Sequence, residues 1–323
     1  TWATKTNYQA KCNLKRLIPV KHEWMPVKGA VVTPFERVIV TPLSLTSKKT
    51  SQGLSRAVIL SDIHCGYHHD LQTNEWTPLH NEKACEIALN IIKDLQPEEV
   101  ICVGDALDLA DWSTHFLHSP EFSFTTQKSL DWLGSYLREC RQHTNKMVYL
   151  SGNHEARMQT AIIKNSVAAY GIRQANMPDT KPVISIPFLL GLDEMDIEWF
   201  EYPEGEYWLN DNLTIIHGAK FGTKSGQSVM KMLDSPHCSV ICGHVHRLEQ
   251  AHATIWVRGE PITYQACSIG TLGHIDGRIP HAGSGRMNWQ NGFAVVDFDK
   301  KDFDTTLIRI SNDQAIYRGK VYK

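Results

Sequence analysis

Five short apolar runs in this sequence each end directly in a carboxylate, an asparagine or a histidine. Continuous apolar runs of this length are typical of strands that are buried on both faces. Sites in open α/β sheets form beyond the carboxyl ends of strands, so we expect the five polar clusters to meet at one edge of a sheet. The clusters are Asp62-Ile63-His64 after AVIL, Gly104-Asp105 after EVICV, Gly152-Asn153-His154 after MVYLS, His217-Gly218 after LTII, and Gly243-His244-Val245-His246 after SVIC.

The order of the expected elements indicates an α/β protein. In the first half, strands alternate with helices, which predicts parallel strands with helices packed on their faces. In the second half, strand-like runs follow one another closely between residues 196 and 311, which favours antiparallel pairing. The expected strands of the first half are Ala57–Asp62, Glu98–Asp105 and Lys146–Asn153, and the expected helices are His80–Gln96, Thr126–His143 and Ala156–Tyr170.

The first 55 residues differ from the rest of the chain. They are rich in Lys, Thr and Pro, and Ser44–Ser55 is polar without an apolar period. Such a segment is typical of a linker. We therefore predict an N-terminal extension and linker at residues 1–55 and one α/β domain at residues 56–323.

Composition and charge exclude several classes of protein. Hydrophobic residues make up 42% of the 323 residues and charged residues 21%, which excludes a disordered or fibrous chain. No apolar run reaches the roughly 18 residues of a spanning helix, so we expect no membrane-spanning segment. The net charge of −2 provides no attraction of the whole molecule to nucleic acid. The eight cysteines form no CxxC pair, and Thr1–Lys21 has no signal-type apolar stretch, so we expect a cytoplasmic protein.

The five clusters and the nearby Asp108 contain enough donors for two metal ions. One ion takes about four to six ligands, so two ions can be held if one carboxylate is shared. Mixed imidazole and carboxylate ligands favour Mn, Fe, Zn or Co over Ca or Mg. We expect two divalent ions, with Mn²⁺ as the preferred metal and Fe, Zn, Co and Ni as alternatives. The donors are the carboxylates Asp62, Asp105 and Asp108, the amide Asn153, and the imidazoles His64, His154, His217, His244 and His246.

In this order, the patterns DxH, GDxxD, GNHE, a single His and GHxH resemble the signature of the calcineurin-like metallophosphoesterases, over Arg56–Ser311. The resemblance implies a four-layer α-β-β-α sandwich, in which two mixed β-sheets are flanked by helices and carry a dinuclear site. It also implies that His154 faces the substrate phosphate and that Asp108 supports it. By motif position, the first metal would be bound by Asp62, His64, Asp105 and His246, and the second by Asp105, Asn153, His217 and His244, with Asp105 as the bridge.

One departure from the family pattern concerns the phosphate. Phosphoprotein phosphatases of this superfamily continue GDxxD with Arg-Gly, whereas Leu109-Ala110 follows Asp108 here. Arg157, three residues after His154, is a candidate for the missing arginine, and a solvated arginine on a helix surface is the alternative. Nucleotide phosphodiesterases and DNA-repair exonucleases share the metal motifs equally well.

These residues favour a hydrolase of phosphoric esters in which a metal-bound hydroxide attacks phosphorus and His154 stabilises or protonates the leaving group. We expect Glu155 to be a supporting residue or a helix N-terminal charge rather than a catalyst. Substrate binding is expected from Arg157, Lys224, Arg278 and Arg286, with Trp289 available to stack on a base.

The leading hypothesis is a phosphodiesterase that acts on nucleotides or nucleic acid. The alternatives are a phosphomonoesterase acting on phosphoprotein or a small metabolite, and a non-catalytic scaffold. The natural substrate and the oligomeric state stay open.

Overall fold

The computed structural model describes residues 47–50, 52–113, 120–122, 124–219, 222, 224–280 and 287–323. All of these residues lie in one unit, Ile39–Lys323. The extension predicted for residues 1–55 falls largely outside the described residues, so its boundary stays a prediction. No helix in the described part of the chain is both long and apolar enough to cross a membrane.

The described residues form fifteen strands and five α-helices. The strands are β1 (Ser55–Leu60), β2 (Tyr67–His69), β3 (Trp76–Pro78), β4 (Glu99–Val103), β5 (Lys146–Leu150), β6 (Ile197–Phe200), β7 (Glu206–Asn210), β8 (Leu213–Ile216), β9 (Ser239–Cys242), β10 (Leu248–Val257), β11 (Glu260–Ile269), β12 (Gly292–Phe298), β13 (Phe303–Ser311), β14 (Gln314–Tyr317) and β15 (Lys320–Tyr322). The helices are α1 (Glu82–Leu95), α2 (Thr125–Arg141), α3 (Glu155–Asn165), α4 (Ile186–Leu189) and α5 (Gln227–Met232).

The larger sheet of the described region has the strand order β15-β14-β13-β12-β1-β4-β5-β6. Strands β1, β4, β5 and β6 run parallel, and β12 pairs antiparallel with β1. The three strands predicted in the first half are confirmed, and each ends two or three residues before the predicted end, so the polar clusters lie in the loops beyond the strands. Helix α1 confirms the predicted helix, and Asn81 begins it by accepting a hydrogen bond from the backbone N–H of Ala84.

The smaller sheet has the order β10-β11-β9-β8-β7 in the described residues. Its pairing differs from the prediction, because β8 and β9 run parallel, as do β9 and β11. The other two pairs are antiparallel. Parallel neighbours need a crossover connection, and the chain between β8 and β9 makes one that contains α5. The close spacing of the strand-like runs in the sequence did not predict this short helix or the crossover that it forms.

Alternation along each strand builds two separate cores. In β1, Ala57 and Ile59 face the second sheet, whereas Val58 and Leu60 face the helices. Helix α5 covers the outer side of the smaller sheet through Val229, which packs with the β9 and β11 side chains. The arrangement is the four-layer α-β-β-α sandwich that was predicted. It brings the carboxyl ends of β1, β4, β5, β8 and β9 to one edge.

A buried histidine next to α1 makes the stability of this fold depend on pH. His80 is fully buried, with its ring 4.0 Å from that of Trp132 and 5.4 Å from that of Tyr67. Burial lowers the pKa of His80 from 6.5 to about 3, and nearby His274 acts in the same direction. Because the folded-state pKa lies below the unfolded value, this contribution is present above pH 6.5 and is lost as the pH falls towards 3.

We therefore expect the free energy of unfolding of the wild type to fall by about 2–3 kcal/mol more than that of His80→Gln between pH 7.5 and 4.5. Urea unfolding at both pH values measures the difference. A His143→Gln variant, altered just after the end of α2, serves as the control and should follow the wild type. Equal losses for His80→Gln and the wild type would show that His80 does not titrate in this way.

Candidate metal centre

The loops that follow β1, β4, β5, β8 and β9 meet at one place. The backbone N–H of Asp62 donates to the carbonyl oxygen of Gly104 at 3.1 Å, and that of His64 donates to the carbonyl oxygen of Asp105 at 2.9 Å. From the second sheet, the backbone N–H of His244 donates to the Asp62 carboxylate at 2.7 Å. The five polar clusters of the sequence are thus brought together from both sheets.

Five of the seven predicted metal ligands have a left-handed backbone. Non-glycine residues adopt positive φ rarely, and such residues concentrate at functional sites because the surrounding structure must hold them there. Each of these residues lies within four residues of the end of β1, β4 or β9. The φ angles are 53° at Asp62, 50° at His64, 49° at Asp105, 63° at His244 and 59° at His246.

Two glycines permit the loops to approach this closely. A Cβ atom on Gly104, whose φ is +73°, would overlap the His217 ring and lie 2.8 Å from the Cα atom of Gly152. A Cβ atom on Gly152 would overlap the carboxylate of Asp105. Side chains at these two positions would therefore displace predicted metal ligands.

The first group of ligand atoms comprises Asp62, His64 and His246. The Nε2 atom of His246 lies 3.0 Å from Nε2 of His64 and 3.0 Å from Oδ1 of Asp62. Nδ1 of His64 lies 3.1 Å from the Asp108 carboxylate, which only accepts when ionised, so the His64 proton belongs on Nδ1. Burial lowers the pKa of His64 to about 4, so the neutral ring directs a lone pair at the other two ligands.

The second group comprises Asp105, His217 and His244, and Asn153 adjoins it. Nδ1 of His217 donates to the carbonyl oxygen of Val103 at 2.8 Å, which leaves Nε2 facing Oδ2 of Asp105 at 3.3 Å and Oδ1 of Asn153 at 3.2 Å. Three potential ligand atoms therefore converge. Burial alone would lower the pKa of His217, but the Asp105 carboxylate outweighs it and raises the pKa to about 9. This group therefore stabilises positive charge.

Asp105 lies between the two groups. Its Oδ2 atom is 3.6 Å from Nδ1 of His244, and one of its oxygens also forms a compact group with His64 and His154. Two sets of imidazole and oxygen donors that share a carboxylate fit two divalent ions of the kind that the sequence predicted. The residues thus form clusters able to bind metal.

His154 is held from both ring nitrogens. Its Nδ1 donates to the carbonyl oxygen of Asp108 at 2.8 Å, and its Nε2 lies 2.8 Å from Nη2 of Arg157. Burial opposes its charged form, but the carboxylates of Asp105 and Asp108 outweigh burial and raise the pKa of His154. The ring therefore sits beside the predicted ligands with an electrostatic environment that favours protonation.

The Asp108 carboxylate serves two histidines. Its Oδ1 atom lies 3.1 Å from Nδ1 of His64 and 3.4 Å from Nδ1 of His154. Burial would raise the pKa of Asp108, but hydrogen bonds with these two rings lower it well below its ordinary value. The sequence predicted support for His154 alone. The contact with His64 is the kind of carboxylate–histidine pair that orients a metal ligand.

Among the predicted substrate-binding residues, Arg157 contacts Asp108 and His154 beside the predicted metal ligands. Its Nη1 atom donates to the carbonyl oxygen of Asp108 at 2.7 Å, and burial lowers the pKa of its guanidinium. It is therefore not the solvated surface arginine that the alternative interpretation required. Trp289 packs its ring 4.3 Å from that of His246.

The other predicted substrate-binding residues are Lys224, Arg278 and Arg286. Lys224 is exposed in the loop before α5. Arg278 binds the Asp276 carboxylate through Nη2 at 2.6 Å, on the loop between β11 and β12. Arg286 lies outside the described residues. The binding roles of these three stay predictions.

Sequence reasoning missed two residues that support the centre, Ser61 and Thr271, whereas it expected Glu155 to be a supporting residue or a helix N-terminal charge. The Ser61 hydroxyl contacts the Asp62 carboxylate, and the Thr271 hydroxyl donates to the carbonyl oxygen of Asp62 at 2.6 Å. Glu155 accepts hydrogen bonds from the backbone of two ligand loops. Ser61 could have been suspected from its position beside the DxH motif, whereas nothing in the local sequence singles out Thr271.

A match to a family model establishes the family of this chain. The family model of calcineurin-like phosphoesterases covers residues 55–248, more than half of the chain. The chain belongs to this family. The resemblance drawn from the motifs and the prediction of an enzyme are confirmed, and this calcineurin-like phosphoesterase is a hydrolase of phosphoric esters. No curated protein matches its sequence.

Solved structures with a similar fold share little sequence with this phosphoesterase. Vacuolar protein sorting 29 from Cryptosporidium parvum has 11% identity and a TM-score of 0.33, over 83% of this chain and 94% of that one. A dimetal phosphatase from Danio rerio has 10% identity and a TM-score of 0.39, over 78% and 95%. A purple acid phosphatase from yellow lupin (Lupinus luteus) seeds has 12% identity and a TM-score of 0.40, over 83% and 53%.

Proposed function

We propose that this hydrolase is a phosphodiesterase that cleaves diesters in nucleotides or nucleic acid. It would use two divalent metal ions, with Mn²⁺ as the preferred metal. The observation that carries the proposal is the pairing of His154 with Arg157 beside two groups of metal-binding side chains. A diester phosphate carries one negative charge and a monoester close to two. The diester has less charge to neutralise, so the guanidinium of Arg157 beside the two ions is sufficient for it.

The position that carries an arginine in phosphoprotein phosphatases supports the same choice. Leu109 and Ala110 stand there and are buried, at 3% and 8% exposure. They begin a short 3₁₀ helix at Ala110–Trp112. A phosphate clamp at this place would need a different side chain, and Arg157 approaches the centre from α3 instead.

The proposed ligands divide between the two groups of donors. Asp62, His64 and His246 would hold the first ion, and Asn153, His217 and His244 the second, with Asp105 shared. When bound, the two ions supply Lewis-acid activation of water and of the phosphoryl oxygens. Asp108 orients His64 through the Nδ1 contact, which keeps the His64 Nε2 lone pair directed at the first site.

The remaining chemistry belongs to His154 and Arg157. The Asp108 carbonyl keeps a proton on Nδ1 of His154, so Nε2 is the atom that can serve the leaving group. In the structure described here, Nε2 faces Nη2 of Arg157 at 2.8 Å. A phosphate oxygen that enters between them would accept from the guanidinium, as arginine commonly binds phosphate. Nε2, once protonated, would then be free to donate to the leaving oxygen.

A hydrolysis panel with Mn²⁺ tests the substrate class. We expect bis-p-nitrophenyl phosphate or short nucleotides to be cleaved with kcat/KM at least about tenfold above that for p-nitrophenyl phosphate. Cyclic nucleotides and single- and double-stranded oligonucleotides extend the panel. Arg157→Ala should raise KM for the diester, and Arg138→Ala, on the far helix α2, is the matched control. Efficient turnover of monoesters with no cleavage of diesters would replace the proposal with the phosphomonoesterase alternative.

We also propose that the protein works in the reducing cytoplasm. Support comes from the seven cysteines in the described residues, which are all free thiols. Six of the seven are buried, and burial raises the pKa of the Cys65 and Cys102 thiols well above the ordinary value. Buried thiols of this kind are common in proteins of reducing compartments.

A further inference from the structure

The carboxylate of Glu155 accepts four hydrogen bonds in the interior of the protein. Its Oε2 atom accepts from the backbone N–H of Gly152 at 2.7 Å and from that of Asp105 at 3.0 Å. Its Oε1 atom accepts from the backbone N–H of Leu107 at 2.9 Å and from the Tyr149 hydroxyl at 2.8 Å. The residue is only 3% exposed.

The three backbone donors belong to the two loops that carry the shared ligand and one of its neighbours. Asp105 and Leu107 lie in the loop after β4, and Gly152 directly precedes Asn153 in the loop after β5. The same loops contact each other where the backbone N–H of His154 donates to Oδ1 of Asp105 at 2.8 Å. Glu155 therefore connects the backbones on which two predicted ligands of the second ion stand.

The contacts of Glu155 differ from those of an acidic residue that stabilises the N-terminus of its own helix. Glu155 is the first residue of α3, where an acidic side chain ordinarily interacts with the free N–H groups of its own helix. Its oxygens accept instead from residues 105, 107, 149 and 152, which all precede α3. The side chain therefore reaches away from its own helix and into the metal centre.

The chemistry of the four donors requires a carboxylate. An ionised carboxylate only accepts hydrogen bonds and has two oxygens to do so, whereas a glutamine amide has one oxygen and an NH₂ group that donates. In Glu155→Gln, the NH₂ group would face at least one backbone N–H, and that buried donor would lose its partner. The loops would then move apart to relieve the contact.

We propose that Glu155 is a positioning residue that fixes Asp105 relative to Asn153 and thereby sets the affinity for the second metal ion. The inference rests on the metal centre of the proposed function, but it does not depend on which ester is cleaved. Residues that orient metal ligands typically change metal affinity by about 10–100-fold when they are replaced.

Calorimetric titration of metal-free protein with Mn²⁺ tests the proposal, with wild type, Glu155→Gln, Tyr149→Phe and Glu99→Gln compared. Glu155→Gln should weaken one of the two sites by about tenfold or more and change the other less. Tyr149→Phe keeps all three backbone contacts and should stay within about threefold. Glu99→Gln is the matched control, because Glu99 also accepts from a tyrosine hydroxyl, that of Tyr207 at 2.6 Å, but at the opposite end of β4.

Urea unfolding without metal separates positioning from general stability. Glu99→Gln should lose stability and still bind Mn²⁺ like the wild type. If Glu155→Gln is less stable but binds both ions within twofold of the wild type, the proposal is wrong. Should Glu155→Gln fail to fold, Glu155→Asp takes its place, since the shorter side chain can reach only one loop and should also weaken one site.

Failure of the proposed function has a different signature. A wild type that binds two Mn²⁺ ions but leaves diesters intact would contradict the proposed substrate, and the effect of Glu155→Gln on the second ion would still stand. A wild type that cleaves diesters while Glu155→Gln keeps normal affinity at both sites would contradict only the role of Glu155. A wild type that binds fewer than two ions would remove the basis of the inference.

Discussion

Asp105→Asn is expected to lose the paired metal ions and to lower kcat/KM by about 10³-fold or more, while the protein stays folded. The Oδ2 atom of Asp105 lies 3.3 Å from Nε2 of His217, and Asp105 also groups with His64 of the first site. A neutral amide cannot offset the charge of two cations, so both sites weaken together. The amide oxygen of the asparagine can still accept a hydrogen bond from the backbone N–H of His154, which preserves the contact between the two loops.

Metal analysis of the purified variant, together with circular dichroism, measures this effect. The control is Asp111→Asn, because Asp111 lies six residues away and accepts from the Thr126 hydroxyl at 2.6 Å rather than from a predicted ligand. The control should retain two ions per chain. Two retained ions and wild-type turnover in Asp105→Asn would mean that the bridging ligand is misassigned.

His154→Ala is expected to keep metal content near that of the wild type and to lower kcat by about 10²-fold or more, the size of a general-acid contribution. The ring is held by the Asp108 carbonyl and Arg157, and its Nε2 atom lies 3.8 Å from Oδ2 of Asp105. His154 is not one of the predicted ligands, so its loss should leave both sites intact. The defect should shrink with a good leaving group such as p-nitrophenol, since such a group needs little protonation.

Steady-state kinetics with a series of aryl diesters measures this dependence, and His217→Ala is the contrasting variant. Because His217 is a predicted ligand, His217→Ala should lose metal and be impaired equally with every leaving group. If His154→Ala also shows the same defect for good and poor leaving groups, His154 is not the general acid.

The parallel half of the fold and its polar edge could be predicted because their signals are local. A continuous apolar run specifies a buried strand, and Asp62 or Asp105 directly after such a run must lie in the loop beyond it. The parallel pairing of β8, β9 and β11 was missed, because pairing depends on connections that bring distant segments side by side. Strands β14 and β15 at the far edge were missed for a different reason: they pair locally, in hairpins, but are only four and three residues long, too short for a clear apolar pattern.

The sequence by itself determined the fold class, the family and the set of side chains that can bind metal, since each follows from short patterns of residue types. Only the tertiary structure decided which atoms face each other. In that structure the Asp108 carboxylate contacts both His64 and His154, and Nη2 of Arg157 faces Nε2 of His154. The Glu155 carboxylate accepts from the backbone of two loops rather than from its own helix. These contacts join residues on separate strands and helices, and their distances follow from sheet register and packing, which no local pattern of residues encodes.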